Sequence, residues 1–159
     1  MRPLIQVWYR FWALRADSRR LILEAAIALA ATWVGLRVLG FRRWKSIFAW
    51  FAARRVRRAR AADSAPLSAA SAIARLEDVA ARHLFFRTNC LERSLVLCWL
   101  LERRGIGGQL RLGARKEGGR FEAHAWVEVD GSVVNDLYEP HSHFAPFGKA
   151  VTPLETESL

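Results

Sequence analysis

Residues 88–104 read TNCLERSLVLCWLLERR, and residues 121–136 read FEAHAWVEVDGSVVND. In the first stretch, Thr88 and Asn89 are helix-capping types standing just before Cys90. Leu91–Arg104 is strongly apolar, with Arg103 and Arg104 in its last turn and Gly105 as a stop. The pattern predicts a helix whose N-terminus lies at Cys90. In the second stretch the period falls from 3.6 to two, which predicts a strand over Phe121–Val129. Asp130-Gly131 is a hairpin signal leading into a further strand over Ser132–Leu137. Gln109–Ala114 reads as a short strand ahead of these, with Gly118 and Gly119 marking the turn. A helix followed by an antiparallel sheet belongs to the α+β class.

Outward from this core, Ser68 opens a helix over about Ala69–Arg82, in which Ile73, Leu76, Val79 and Ala80 keep the 3.6 period. Ala61–Leu67 (AADSAPL) holds Asp63, Ser64 and Pro66 and is the one linker candidate. It divides the chain into a helical region, 1–62, and a second domain, 63–159. In the first region Asp17 and Ser18 can cap a helix reaching Leu39, Gly40 suits its stop, and Phe41–Arg60 reads as a second, very basic helix. The tail from Tyr138 contains Pro, Gly and His and is expected to be irregular. No internal repeat occurs.

Charge separates the same two regions. Residues 1–62 carry 14 Lys/Arg against 2 Asp/Glu, and residues 63–159 carry 11 against 13, so the whole excess of +10 lies in the first region. Such asymmetry points to an anionic partner: nucleic acid, acidic lipid or acidic polypeptide. Five of the seven tryptophans (Trp8, Trp12, Trp33, Trp44, Trp50) lie there too, a mixture that suits peripheral contact with a bilayer interface. Leu21–Leu39 is mostly apolar, but its uninterrupted run is only Ala25–Leu36, shorter than the roughly 20 residues of a spanning helix. A buried or partner-facing helix is the expectation. Cys90 and Cys98 stand about 12 Å apart along one helix, too far to bridge. With no disulfide framework and no signal-peptide cleavage site near the start, the cytoplasm is the expected compartment.

A cysteine nucleophile acts as the thiolate, needs an imidazole to move its proton, and needs a third group to hold that imidazole. A helix N-terminus favours the anion. Cys90 at a helix start, His124 on a strand and Asp136 on the next strand occur in the order used by papain-like and transglutaminase-like folds. Taken singly, each has a plainer reading: a small buried hydrophobe, a strand histidine, a turn acid. The joint order and placement favour the triad. Cys98, among Leu97, Leu100 and Leu101, reads as core. His141, His143 and His83 offer a competing metal reading, but no second Cys/His pair completes a zinc site.

The string Cys90-Leu91-Glu92-Arg93-Ser94-Leu95, then Leu100, Leu101, Arg104, Gly105 and Ile106, then Leu112 and Gly113, then His124-Ala125-Trp126-Val127-Glu128 and Gly131 resembles the lasso-peptide leader peptidases. These are the protease halves of split lasso-peptide biosynthesis proteins, within the transglutaminase-like superfamily. The likeness is sharpest over residues 87–137 and extends more loosely over the basic, apolar helices of residues 10–50.

The resemblance implies a papain/transglutaminase-like core with Cys90 as nucleophile, His124 as base and Asp136 as orienting acid. It implies a cysteine peptidase that cuts a ribosomal precursor peptide at its leader–core junction and frees the core α-amine for macrocyclisation. Its implied partners are that precursor, a small leader-binding recognition protein and an asparagine-synthetase-like cyclase, and nucleic acid is not among them. No cofactor is expected on this chain. The sequence holds no P-loop, so any ATP dependence of the coupled pathway is expected to lie with the cyclase. Residues 10–60 are expected to dock the leader-binding protein, with Arg42, Arg43, Arg54, Arg55, Arg57 and Arg58 steering acidic groups. Anchoring to anionic lipid is the competing role. Two other readings stand beside hydrolysis: acyl transfer to an amine within the same superfamily, and a non-catalytic module that grips a membrane or partner.

Overall fold

A computed structural model describes residues 9, 11–56, 67–135 and 141–147, with side chains described for all of these except 41–42, 45–56 and 141. After a helical turn at residues 11–13, the described residues form the helices α1 (Ala16–Val56), α2 (Leu67–His83) and α3 (Cys90–Glu102). Strands β1 (Gln109–Glu117), β2 (Arg120–Val129) and β3 (Ser132–Val133) follow, then a 3-10 turn (His141–His143) and β4 (Ala145–Pro146). The sheet has the order β3-β2-β1-β4, and every neighbouring pair is antiparallel. The chain is α+β, as the sequence predicts. Of the linker expected over Ala61–Leu67, residues 61–66 lie outside the described residues and Leu67 already opens α2.

Helix α3 is the centre of the molecule. It packs on α1 and α2 on one side and on β1 and β2 on the other, and accordingly Leu95, Val96, Leu97, Cys98, Leu100 and Leu101 are all buried. A helix apolar on every side is stable only when enclosed in this way. Helix α1 enters the same core through Leu21, Ile22, Ala25, Ala28 and Leu29, and α2 through Ala70, Ile73, Ala74 and Ala80.

The expected stop at Gly40 is a break inside α1, where the backbone turns to φ 74°, ψ 166° before helix resumes. Glycine alone takes this conformation without cost. After the break Trp44 folds back onto Gly35, where a β-carbon would overlap the indole. The segment Ala16–Gly40 is long and apolar enough to cross a membrane.

Both expected hairpin turns form. Gly118 and Gly119 have φ of 56° and 81°, and Asp130 and Gly131 have 50° and 76°, the left-handed pair that a two-residue hairpin turn demands.

Three expectations need correction. β1 runs three residues past Ala114, because Arg115 pairs with Glu122 across the ladder (2.6 Å) and carries it into polar sequence. β3 stops at Val133 instead of reaching Leu137, since beyond Val134 the Asn135 side chain takes over the hydrogen bonding to β2. The tail is not wholly irregular: Phe144 is buried, and Ala145 and Pro146 pair with Ala114 and Gly113.

Buried charge is concentrated around α3. Arg93 donates to Glu77 Oε1 and Oε2 (3.3 and 3.1 Å) and to Asp78 Oδ1 (2.8 Å). Burial holds the Glu77 carboxyl above the usual range despite Arg93. Burial also opposes ionisation of Asp78, but hydrogen bonds from Arg82 and Arg93 outweigh it and hold that carboxyl low.

Glu102 is 8% exposed, and its Oε2 is buried without a hydrogen-bond partner. Burial pushes its carboxyl up to about 7 from an ordinary 4.5. The folded state therefore binds this proton more tightly than the unfolded chain, and stability falls as pH rises from 4.5 through about 7. Glu102→Gln is expected to leave the melting temperature unchanged near pH 4.5. At pH 8 it should raise stability by on the order of 2 kcal/mol, after discount for residual solvent contact, as read by thermal unfolding across pH.

Candidate active site

Cys90 is the first helical residue of α3 and is half-buried against the edge of the core. Asn89 caps the helix: its Oδ1 accepts from the Glu92 N–H (2.8 Å), while Glu92 Oε2 accepts from the Asn89 N–H (2.9 Å). This reciprocal box uses the amides of residues 89 and 92. Of the four N–H groups that a helix start leaves without an intrahelical acceptor, those of Cys90 and Leu91 remain, beside the thiol. The other oxygen of Glu92 accepts from Arg37 of α1 at 2.8 Å, and Arg37 lies over Trp33 at 4.0 Å. The carboxylate nearest Cys90 in the helix is thus neutralised by an arginine from another element.

The contact of α3 with β2 can be followed turn by turn. Near the helix C-terminus, a β-carbon on Gly108 would lie 3.0 Å from Leu101 Cδ1, 3.4 Å from Val127 Cγ1 and 3.6 Å from Cys98 Cα. One turn earlier Ser94 Oγ donates to Ala125 O at 3.0 Å. Cys90 is a further turn along the same helix face.

Alternate residues of β2 take different sides. Ala125, Val127 and Val129 join the core with α3. His124 and Trp126 point to the other face, where Phe144 packs near the histidine: the His124 ring lies 5.0 Å from Phe144 and 6.0 Å from Trp126, centroid to centroid. The body of α3 therefore does not meet His124. Trp126 is held by its Nε1–H bond to Glu128 Oε1 (3.0 Å), and Glu128 is held by Arg111 (2.9 Å). Gly113 faces His124 across the ladder, and a β-carbon there would stand 2.9 Å from Ala145 O and 3.0 Å from the Trp126 ring. No larger residue leaves space for both.

Asp136 lies outside the described residues. Its predecessor, Asn135, is fixed from both sides: Oδ1 accepts from Val127 N–H (2.8 Å) and Nδ2 donates to Ser94 Oγ (3.0 Å). Helix α3, strand β2 and the start of the following segment are thereby joined through Ser94 and Asn135. Cys98 is fully buried, and burial, with Glu102 nearby, drives its thiol well above the ordinary range. His83 Nδ1 is 2.7 Å from Val79 O of its own helix. Among the described residues no three His, Cys, Asp or Glu side chains gather as a metal site would require.

Residues 35–149 match the family model of the transglutaminase-like superfamily. The chain belongs to this superfamily. It is also 41% identical over 51 residues to the microcin J25-processing protein McjB of Escherichia coli; the matched segment is 32% of this chain and 24% of that relative's length. The chain thus spans about a quarter of the relative it matches. No solved structure matches it.

Sequence reasoning did not single out Ser94, Asn135 or Phe144. Ser94 left a faint signal as a polar residue inside an apolar run, and the spacing Asn89…Glu92 is legible as a capping box. Nothing local marks Asn135 or Phe144, whose partners are distant in sequence.

Two outcomes follow from this geometry. Iodoacetamide is expected to alkylate Cys90 in the folded protein and to reach Cys98 only on unfolding; peptide mapping that finds equal labelling of both would contradict their placement. Asn135→Ala strands the amide of fully buried Val127 and removes the bond to Ser94. It should cost about 1–3 kcal/mol in denaturant unfolding.

Proposed function

We propose that this chain is a cysteine peptidase that removes the leader from a ribosomally made lasso-peptide precursor, with Cys90 as nucleophile, His124 as acid–base and Asp136 as orienting group. The observation that carries the reading is a half-buried cysteine at the first position of α3, beside two amides that the capping box leaves unspent. Membership of the transglutaminase-like superfamily supports it, as does the local likeness to a microcin-processing protein.

Cys90 Sγ, deprotonated by His124, attacks the carbonyl carbon of the last leader residue. The tetrahedral oxyanion is met by the N–H groups of Cys90 and Leu91, preorganised by the helix and favoured by its positive end. As the C–N bond breaks, the His124 imidazolium gives its proton to the departing core amine, leaving a leader thioester on Cys90. A water deprotonated by His124 then adds to the thioester, and collapse releases a leader carboxylate and the thiol. The freed α-amine is the nucleophile needed for ring closure by a separate cyclase. In this reading the precursor is presented by a leader-binding protein, this chain needs no cofactor, and nucleotide use belongs to the cyclase.

The reading makes a graded prediction for cleavage of full-length precursor in the presence of its leader-binding protein, followed by mass spectrometry of the leader. Cys90→Ala should abolish formation of the free leader carboxylate while changing stability by less than about 1 kcal/mol. Cys98→Ala should keep cleavage. His124→Ala should lose about 10²- to 10⁴-fold in rate, and Asp136→Asn should lose less, because it orients the imidazole and makes no bond to substrate. Wild-type rates from His124→Ala would remove it from the mechanism, and a leader found joined to an amine would replace hydrolysis by acyl transfer.

A further inference from the structure

Helix α1 between Ala16 and Gly40 is apolar on both sides, yet the molecule covers only one of them. The inner side, Leu21, Ala25, Ala28, Leu29 and Thr32, is buried. Opposite it, Leu23, Ile27, Val34 and Val38 are 54%, 71%, 50% and 74% exposed. Spaced at four, seven and four, they form one straight stripe about 22 Å long, with Ala31 filling the space between Ile27 and Val34. Arg20 stands at one end of the stripe; at the other, exposed Arg37 is turned onto Glu92 (2.8 Å), and exposed Arg43 follows the break at Gly40. The only acids in residues 1–62 are Asp17, before the stripe, and Glu24, which is turned inward onto Arg103 and Arg104 (2.7 and 3.0 Å). Exposed Tyr9 and Trp12 precede the helix, and Arg19 lies over Trp12 at 4.9 Å.

We propose that this stripe seats the protein on an anionic lipid surface, with α1 lying in the plane of the headgroups. Aliphatic side chains on the exposed line, with exposed cations and aromatic residues near its ends, are what an interfacial helix requires. Spanning is a different matter. A crossing helix would carry Glu24 into the bilayer and withdraw Leu21, Ala25 and Leu29 from the core that α1 shares with α2 and α3. A second copy of the chain fits poorly, because a two-fold pairing on this stripe would oppose two regions of net +12. Anionic headgroups meet the aliphatic line and the single-sign charge together.

The test is flotation of the full-length chain with phosphatidylcholine vesicles, with and without about one third phosphatidylglycerol, at low and high salt. Wild type should float with the anionic vesicles, lose binding as salt rises, and fail on pure phosphatidylcholine. The double variant Ile27→Ser, Val34→Ser alters exposed positions only and should melt like wild type while binding at least tenfold more weakly. Arg20→Glu with Arg43→Glu should weaken binding comparably. Failure of wild type to float, or undiminished flotation of the serine variant with its fold intact, overturns the proposal. So does retention in cell membranes after alkaline carbonate extraction, which would mean a spanning helix. Loss of vesicle binding alongside stripe-dependent capture by the leader-binding protein would assign the surface to that protein instead.

Discussion

Helix α3 has to be enclosed on all sides and still keep its first turn open. Its apolar residues meet the first demand, but apolar packing alone leaves a helix free to slide or rotate by a fraction of a turn. Polar contacts remove that freedom: Ser94 on Ala125 O, Arg93 on Glu77 and Asp78, and Glu92 on Arg37. Each joins α3 to a different element, namely β2, α2 and α1. Breaking one partner of a buried ion pair costs about 3–5 kcal/mol, far more than the net worth of the pair, so such contacts act chiefly by making misregistered packings expensive.

The His124 side of the sheet solves another problem with other means. An imidazole on a strand with solvent before it would sample several rotamers. Here Trp126 and Phe144 both pack near its ring, Glu128 and Arg111 fix Trp126, and Gly113 gives the indole room to lie across β1. Phe144 arrives from the chain's last described segment, tied to β1 by the short ladder at Gly113 and Ala114 and by the Phe147 N–H bond to Leu112 O (2.7 Å). The surroundings of His124 are thus assembled from β1, β2 and the tail segment.

What the sequence made legible was whatever rests on local chemistry. Asn89 before Cys90, Gly40, the pairs Gly118-Gly119 and Asp130-Gly131 and the switch of period after Gly108 each encode a backbone conformation through residues within four positions. The α+β class and the helix-start position of Cys90 followed. What was not legible depends on contacts between distant residues. The end of β3 is decided by the amide of Asn135 competing for Val127, the length of β1 by a cross-strand Arg115–Glu122 pair, and the order in the tail by a Phe144 that looks unremarkable in isolation. The exposed stripe on α1 was hidden for the opposite reason: composition shows that the helix is apolar, but only packing shows which side the core leaves uncovered.

Helices α1 and α3 run antiparallel, and their ion pairs sit at opposite ends of the contact. Glu24 holds Arg103 and Arg104 at the C-terminus of α3, and Arg37 holds Glu92 at its N-terminus. Thirteen residues separate the anchors on α1 and eleven or twelve on α3, which at 1.5 Å per residue are spans of about 20 and 17 Å. Two struts of nearly matched length fix both the axial position and the rotation of one helix on the other. The rotation that lets Arg37 reach the turn carrying Cys90 is the same one that faces Leu21, Ala25 and Leu29 inward and leaves Ile27 and Val34 outward. A helix that must neutralise a carboxylate beside Cys90 and also fill a core has only one side left over, and in this sequence that side is aliphatic.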